Sequence, residues 1–402
     1  MGKAAYFFLW ALVFSIPLEN MVVLQGFGTI SRVIGVFAVL FGGMALLMEG
    51  RGRSLSTLHL LIFGFFLWSV ATFFWTIDHD SSLTTIITIS QIFIFILIVW
   101  EFAKTEKALY GLFQAYLLGA SIAIFNIILA YFRNDQVTYF RYSASGFDPN
   151  DISLTVALGV PIAWFLSLNS KNAVLTWVYR LYLPATFFAV VLTASRGSFL
   201  ALGFSLCMLV FTLGHLRRYE KIILILLAGF SIGLMVEFIP SYSWERLSTI
   251  YGETTSGTLN ARSTIWLGGL QAYTENPLFG AGVGAFSTAI EGKLGVPIAP
   301  HNVFLSILVG QGLFGFLLFL SIFFKVYIDL PRLASLEKTL WIMLFMTWAI
   351  GGMTLGWEYR KPTWFLLGLF ANFVFCTDRE GETAFTETAA DHRLEENKAL
   401  GL

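Results

Sequence analysis

Apolar runs of about 20 residues recur along the whole sequence, and they constrain the fold more than any other feature. A helix needs roughly 20 apolar residues to cross the hydrocarbon core of a bilayer. We therefore predict an all-α integral membrane protein of about twelve transmembrane helices. The twelve apolar runs are centred near Phe14, Phe37, Phe66, Phe95, Ala120, Gly159, Phe188, Phe204, Ala228, Leu317, Phe345 and Leu369.

Composition agrees with a membrane protein and excludes several function classes. Hydrophobic residues make up 57% of the chain and charged residues 12%, whereas soluble domains carry about 25% charged residues. The formal net charge is zero, so no basic field exists to attract nucleic acid. The two cysteines, Cys207 and Cys376, lie in separate apolar runs, and the absence of a Cys/His cluster argues against structural zinc. The first apolar run lacks a small-residue cleavage site, so we interpret it as a retained span.

Lysine and arginine in alternate loops predict the orientation of the chain. Basic residues in "EGRGRS", "EFAKTEK", "GHLRRYEK" and "PRLASLEK" place these loops in the cytoplasm. We expect both termini to be cytoplasmic. We also expect residues 1–376 to form one polytopic transmembrane domain, with a long periplasmic loop at 240–300, and residues 377–402 to form a polar cytoplasmic tail.

Three arginines on the predicted periplasmic side are candidate anion ligands. Arg196 lies in "TASRGS", a short break between apolar runs, where an arginine usually faces a cavity or a partner. Its guanidinium suits bidentate phosphate binding, although snorkelling or pairing with Glu237 is the plainer interpretation. Arg262 opens a short amphipathic helix expected over 262–273, and a helix N-terminus beside an arginine favours anions. Arg246 precedes it in the same loop. Ordinary solvated loop arginines are the alternative for both.

That short amphipathic helix has its own predicted buried face. We expect it to be formed by Ile265, Trp266, Leu270 and Tyr273.

His301 stands at the start of the apolar run in "PHNVFLSILVGQGLFGF". The positive end of a helix disfavours a protonated imidazole, which would keep His301 neutral, as a general base must be. A structural donor at the helix start is the plainer alternative.

Two acidic stretches on the same side receive structural interpretations. "DHD" at Asp78–Asp80 has the spacing of a metal-assisted sugar-phosphate site, but we favour a short polar loop and predict no metal. "GFDPNDIS" around Asp148 predicts a turn followed by a helix cap, and it could also bind sugar hydroxyls.

Three stretches together resemble the O-antigen ligase/polymerase superfamily of bacterial envelope enzymes. "HN" at His301 and Asn302 is followed after nine residues by "GLFG", with Gly312 and Gly315, and is similar to the histidine motif of the ligases. "SRGSFL" around Arg196 resembles their arginine motif. "LNARSTIW…NPLFGAGVGAF" resembles their large periplasmic loop, where Arg262 matches its arginine.

The resemblance implies an activity and a set of roles. The fold would be similar to C-type glycosyltransferases in membrane architecture. The chain would move a glycan from undecaprenyl pyrophosphate to lipid A–core at the periplasmic face of the inner membrane, with inversion and without metal, ATP or another cofactor. Arg196 and Arg262 would hold the pyrophosphate, with Arg246 and Asn302 as further substrate-binding residues. His301 would position or deprotonate the acceptor hydroxyl.

Two other functions stay open at this point. A polymerase of the same superfamily would join lipid-linked repeat units, and the external loops "RYSASG" and "ERLSTIYGETTSG" are modest indications of it. A secondary transporter would place ionisable or broken-helix sites near the bilayer midplane. Here the ionisable residues cluster at one face, which favours an interfacial enzyme.

Overall fold

The computed structural model describes residues 1–26, 28–50, 52–137, 141–255 and 261–379, and nearly all of them lie in helices. A two-residue antiparallel hairpin, β1 (Val23–Leu24) with β2 (Gly28–Thr29), precedes the second helix. The helices are α1 (Gly2–Ser15), α2 (Ile30–Glu49), α3 (Thr57–Ala71), α4 (His79–Phe102), α5 (Glu106–Phe132), α6 (Pro149–Asn169), α7 (Ala173–Thr193), α8 (Arg196–Thr212), α9 (Arg218–Phe238), α10 (Ser241–Ser248), α11 (Ile250–Thr255), α12 (Arg262–Glu275), α13 (Phe286–Leu294), α14 (Val303–Asp329), α15 (Ser335–Gly352) and α16 (361–379).

All twelve predicted run centres fall inside helices. Within the described ranges, nine helices are long and apolar enough to cross a membrane, namely α2 to α9 and α14. The chain is therefore an all-α, multi-pass membrane protein. The other three centres lie in α1, α15 and α16, and the total of twelve spans remains a prediction. The predicted tail boundary falls within α16, and residues 380–402 lie outside the described part of the chain.

Helix α6 forms the centre of the bundle and packs against α5, α7, α8 and α15. Its interior contains Pro161, which has no N–H group to donate to the carbonyl of Ala157. The Ser205 hydroxyl donates to that carbonyl instead, at 3.4 Å. Tyr116 and Tyr182 donate to the two preceding carbonyls of α6, each at 2.8 Å. These bonds satisfy buried polar groups around a helix that is almost wholly buried.

Helix α14 is broken at Gly312, where φ is 67° and ψ is −171°. The segment 277–284 of the long loop docks into this break through backbone hydrogen bonds. The N–H groups of Ala281 and Gly282 donate to the carbonyls of Val309 and Gly310, at 2.9 and 2.8 Å. A Cβ at Gly312 would lie 2.3 Å from the carbonyl oxygen of Leu278, so only glycine fits here. The break therefore anchors the long loop to α14.

The spacing of Gly312 and Gly315 in one apolar run predicts that a neighbouring helix packs closely against both, but only Gly315 has such a contact. A Cβ at Gly315 would lie 2.9 Å from the Trp68 indole of α3. Gly312 instead contacts the docked loop segment. The difference arises because the left-handed backbone of Gly312 interrupts the helix rather than continuing it.

The predicted amphipathic helix is present as α12. Ile265 is buried, and Trp266 and Tyr273 pack beside it against α13 and α14. The prediction for Leu270 was wrong, because this side chain is exposed. Gly269 takes the buried position: a Cβ there would lie 2.9 Å from Leu305, so the close approach of α12 to α14 requires glycine.

Candidate functional site

Four helix ends meet at one end of the bundle, and three of them begin beside a strained residue. Ala194 precedes the start of α8, Ala261 precedes α12, and His301 lies two residues before α14. All three are non-glycine residues with left-handed backbone, with φ of 48°, 65° and 46°. Such conformations cost of order 1–3 kcal/mol and cluster at functional sites. The fourth end is the start of α6, which Asp148 caps.

The carbonyls at the end of α7 orient two arginines. Arg246 of α10 donates from Nε to the carbonyl of Ala194 at 3.0 Å. Arg141, in the loop before α6, donates from Nε to the carbonyl of Thr193 at 2.8 Å and from Nη2 to Asn150 Oδ1 at 2.8 Å. Helix C-terminal carbonyls carry partial negative charge and favour cations. The remaining Nη groups of Arg246 make no hydrogen bond to a described residue and can bind a ligand.

Arg262 stands close to the two other arginines predicted from the sequence. Burial lowers its pKa first, and repulsion from Arg196 and Arg246 lowers it further. Arg262 is the first residue of α12, is half-buried, and makes no side-chain hydrogen bond to a described residue. Arg196, the first residue of α8, donates from Nη1 to the Thr249 hydroxyl at 3.0 Å. The structure thus brings Arg196, Arg246 and Arg262 into one cluster.

Asp148 is the acidic member of this cluster. Its carboxylate accepts from the Asn150 N–H at 2.8 Å as the cap of α6, so the predicted turn and cap are present. Burial lowers the pKa values of Arg141, Arg262 and His301, and the negative charge of Asp148 partly offsets this by favouring their protonated forms. One carboxylate against four guanidiniums leaves the cluster positive, which favours an anion.

His301 faces the arginine cluster. Burial lowers its pKa from the ordinary value, and the neighbouring Arg262 lowers it further. The imidazole is therefore neutral at neutral pH and can accept a proton. It makes no hydrogen bond to a described residue. Asn302 caps α14 by accepting from the Leu305 N–H at 3.1 Å, so its Oδ1 is engaged and only its amide N–H groups are left for a substrate.

The other acidic candidate serves the fold. Asp78 caps α4, where its carboxylate accepts from the Ser81 N–H at 2.9 Å and from the Thr288 hydroxyl at 2.6 Å. These bonds lower the pKa of Asp78 and tie α4 to α13. Among the described residues, no group of three or more His, Cys, Asp or Glu side chains is arranged to hold a metal ion.

Sequence reasoning missed two buried charged residues beside the site. Arg141 lies in the external segment "RYSASG", seven residues before the α6 cap Asp148, and this short separation was the available signal. Glu358, in the loop before α16, accepts from the Ser306 hydroxyl of α14 at 2.5 Å. Its second oxygen is buried and has no partner among the described residues. Burial raises the pKa of Glu358 to about 7.

Comparison with known proteins identifies one family segment, which contains His301 and three of the four cluster arginines. No curated protein matched the sequence. Residues 181–320 match the model of the O-antigen ligase family, Wzy_C. This stretch runs from α7 into α14 and includes Arg196, Arg246, Arg262 and His301. The match supports a ligase- or polymerase-like activity on lipid-linked glycans. Over this segment, the chain is similar to the O-antigen ligase family, and the match supports a place in the O-antigen ligase superfamily.

Proposed function

We propose that this protein transfers a glycan from undecaprenyl pyrophosphate to lipid A–core at the periplasmic face of the inner membrane, as an O-antigen ligase. The observation that carries the proposal is the cluster of Arg196, Arg246 and Arg262 beside the neutral His301. A lipid pyrophosphate donor is already activated. The enzyme must then stabilise the charge of the leaving group and orient the acceptor.

The arginines supply the leaving-group site. Pyrophosphate offers oxygens on two phosphorus atoms, and a guanidinium fork binds such oxygens bidentately. Arg246 and Arg141 are held on the end of α7 by their Nε groups, and Nη2 of Arg141 is also held by Asn150, so the remaining Nη groups are preorganised. Four guanidiniums offset the negative charge that develops on the departing pyrophosphate, and no metal is needed for that role.

His301 supplies the proton acceptor. The acceptor hydroxyl attacks the anomeric carbon of the donor sugar while its proton passes to the imidazole. The bond between the anomeric carbon and the pyrophosphate oxygen breaks, and lipid pyrophosphate leaves from the opposite face. A single displacement of this kind inverts the anomeric centre. The amide N–H groups of Asn302 would hold a sugar hydroxyl beside it.

A groove between α7 and α9 fits the apolar chain of the donor. Its volume is about 440 Å³, and its walls include Leu181, Phe188, Phe230 and Phe238. One end of the groove is connected to the cluster: Ile239 follows Phe238 of the groove, Leu247 follows Arg246, and both pack on Val191 of α7. A lipid chain in this groove would bring its pyrophosphate to the arginines.

Reconstitution with defined substrates tests the proposal. The purified protein is incubated with an undecaprenyl-pyrophosphate glycan, with and without lipid A–core, in the presence of a metal chelator. We expect glycosylated lipid A–core and released lipid pyrophosphate only in the complete mixture. Absence of product with a competent donor, or transfer that the chelator abolishes, would overturn the proposal.

A polymerase is the second candidate, and one observation favours it. Arginines from two separate external segments, Arg141 before α6 and Arg262 in the long loop, meet in the same cluster. Two phosphate-bearing lipid substrates would give both segments a role. Formation of a glycan with twice the repeat length, from the donor alone, would identify the polymerase.

A further inference from the structure

A groove opens between α1, α2, α4 and the start of α16. Its volume is about 590 Å³, within the range of roughly 300–1,000 Å³ that is typical of small-molecule sites. We call it the α2 groove. Its α2 wall faces outwards, since Val36 and Leu40 are 57% and 54% exposed. Because α2 is an apolar helix long enough to span a membrane, the groove opens to lipid.

Only small residues bring α2 against its neighbours. The buried residues of α2 are Ser31, Ala38, Gly42 and Ala45. A Cβ at Gly42 would lie 3.2 Å from Phe102 at the end of α4, so the two helices approach closely there. No large side chain of α2 is among its buried residues. The space beside this contact is therefore left for another molecule to fill, since protein interiors have few voids.

Two polar side chains of the groove lie at the same level. One membrane-spanning helix, α3, separates α2 from α4 in the chain, so α2 and α4 run in the same direction. The contacts of Gly42 with Ile98 and Phe102 set their register. Ten residues nearer the start of each helix, Arg32 is therefore level with the turn 88–92 of α4, which contains Gln91. Both Arg32 and Gln91 line the groove.

This level corresponds to the head groups of one leaflet. Glu49 ends α2, and the helix rises about 25 Å from Glu49 to Arg32. A hydrocarbon core about 30 Å thick places these two charges near its opposite faces. Below Arg32, the apolar wall formed by Val36, Val39 and Leu40 continues for about 12 Å. That length is most of the depth of one leaflet, about 15 Å.

Gln91 presents an amide to the groove from a membrane-spanning helix. Its side chain is exposed and makes no hydrogen bond to a described residue. An amide without a partner is costly next to hydrocarbon. The ester carbonyl oxygens of a phospholipid lie just below its phosphate, and they can accept from this amide. An ester-linked lipid with its phosphate near Arg32 therefore gives Gln91 a partner.

The mouth of the groove has one unbalanced positive charge. Lys361 forms an ion pair with Glu19, and Arg360 donates to Asp151 at 2.7 Å. Arg32 forms no ion pair or hydrogen bond with a described residue. It lies in the first turn of α2, which has no side-chain cap, and there the helix dipole also favours an anion. One phosphodiester would balance this charge, whereas a zwitterionic head group would leave it unbalanced.

We propose that the α2 groove binds one diacyl phospholipid with an anionic head group, as a structural lipid that holds α2 on the bundle. The phosphate lies at Arg32, an ester carbonyl accepts from the Gln91 amide, and one acyl chain follows Val36, Val39 and Leu40. The lipid comes from the surrounding bilayer and is not consumed. The inference is independent of glycan transfer, because none of these residues belongs to the arginine cluster.

Photolabelling measures the occupancy and the selectivity of the groove. The whole protein, in nanodiscs of phosphatidylcholine, receives a trace of phosphatidylglycerol or of phosphatidylcholine that carries the same diazirine on one acyl chain. We expect phosphatidylglycerol to label peptides of α2 and α4 about tenfold more strongly, because Arg32 binds its unbalanced phosphate. Excess soluble glycerol phosphate should not displace the label, since it has no acyl chain. Equal labelling by the two probes, or displacement by glycerol phosphate, would overturn the proposal.

Two polar variants test the contacts at the head group. Arg32→Gln should remove the preference for phosphatidylglycerol, whereas Arg133→Gln, at an exposed arginine that ends α5, should keep it. Gln91→Leu should weaken labelling by both probes about fivefold, because both lipids carry ester carbonyls. A preference that persists in Arg32→Gln, or full labelling of Gln91→Leu, would contradict the proposed position of the lipid.

Two glycine variants test the groove itself. Gly35→Leu fills the groove beside Leu12 and should reduce labelling of α2 and α4 about tenfold. Gly43→Leu adds the same side chain where nothing lies within 4 Å of the new Cβ, and should leave labelling unchanged. Phosphatidylglycerol should raise the Tm of the wild type and of Gly43→Leu, but not that of Gly35→Leu.

A single monodisperse peak with helical circular dichroism shows that each variant is folded. If Gly35→Leu does not fold, Arg32→Gln and Gln91→Leu decide the question. Normal labelling of a folded Gly35→Leu, or an equal rise in its Tm, would show that the lipid binds elsewhere.

Discussion

Arg246 donates a hydrogen bond from Nε to the carbonyl oxygen of Ala194 at 3.0 Å, and Ala194 ends α7 two residues before Arg196. A single left-handed residue therefore ends one helix, orients one arginine and places the next arginine at the start of α8. This hydrogen bond connects the short break around Arg196 to the long loop that carries Arg246. The sequence predicted that both segments contribute arginines to the site.

Arg262→Lys should lower glycan transfer about 10²-fold, because a point charge replaces a guanidinium fork at the leaving group. Arg196→Lys should act in the same direction. Initial rates with saturating acceptor measure the loss. Arg133→Lys, at the end of α5, is the matched control and should retain the wild-type rate. Wild-type rates in both site variants would rule out a shared pyrophosphate site.

His301→Ala should lower transfer by about 10²–10⁴-fold if the imidazole takes the proton of the acceptor. His301→Gln separates this role from orientation, because an amide can hydrogen-bond but cannot accept the proton. Near-normal transfer by the glutamine variant would show that His301 orients the acceptor but does not take its proton. Near-normal transfer by the alanine variant would exclude both roles. The exposed His79 gives the control, since His79→Ala should not change the rate.

The acid limb of the pH–rate profile should lie below 6.5. Burial and Arg262 lower the pKa of His301 from that ordinary value, and transfer is lost as pH falls through the lowered pKa and the imidazole gains a proton. Arg262→Gln removes one lowering influence and should move the pKa of His301 upward. Carbon NMR of labelled histidines, assigned with His301→Gln, measures this shift. An unchanged pKa in Arg262→Gln, or a similar shift in Arg133→Gln, would contradict the coupling.

Glu358→Gln should change how stability depends on pH. Burial raises the pKa of Glu358 from 4.5 to about 7, so the folded protein retains a proton that the unfolded chain loses. Stability should therefore fall as pH rises from about 4.5 to about 7, by about 3 kcal/mol, and level off above that range. The glutamine variant should lose this dependence in thermal unfolding of the detergent-solubilised protein. The exposed Glu291→Gln should keep it. If the stability of the wild type and of Glu358→Gln depended on pH in the same way, the raised pKa of Glu358 would be refuted.

Gly312→Ala should destabilise the protein. The left-handed backbone costs an L-residue about 1–2 kcal/mol, and the new Cβ would lie 2.3 Å from the Leu278 carbonyl oxygen. The docked segment 277–284 should loosen, so its N–H groups should exchange faster with solvent. Gly43→Ala is the matched control: it lies in regular helix with free space, and should be neutral or stabilising by about 0.5–1 kcal/mol. Slow exchange in Gly312→Ala would show that the break tolerates a side chain.

The sequence by itself determined the membrane fold and the main chemical groups. Apolar runs long enough to cross a bilayer have few alternatives to a helix, because unpaired backbone groups are costly in lipid. The sequence also identified site candidates at the ends of these runs, because charged residues are rare there. These candidates were Arg196, Arg262 and the motif around His301. Asp148 was predicted as a cap for the same local reason.

Tertiary structure alone decided which of these groups meet. The α7 carbonyls that orient Arg141 and Arg246 are backbone atoms, so no side-chain pattern in the sequence predicts these contacts. The break at Gly312 follows from the docking of a loop about 30 residues away, so helical spacing predicted a helix contact there instead. Glu358 is placed behind α14 by long-range packing, and the same packing raises its pKa. Local sequence sets helices and caps, whereas contacts distant in the chain set the site, because their geometry depends on how whole helices pack.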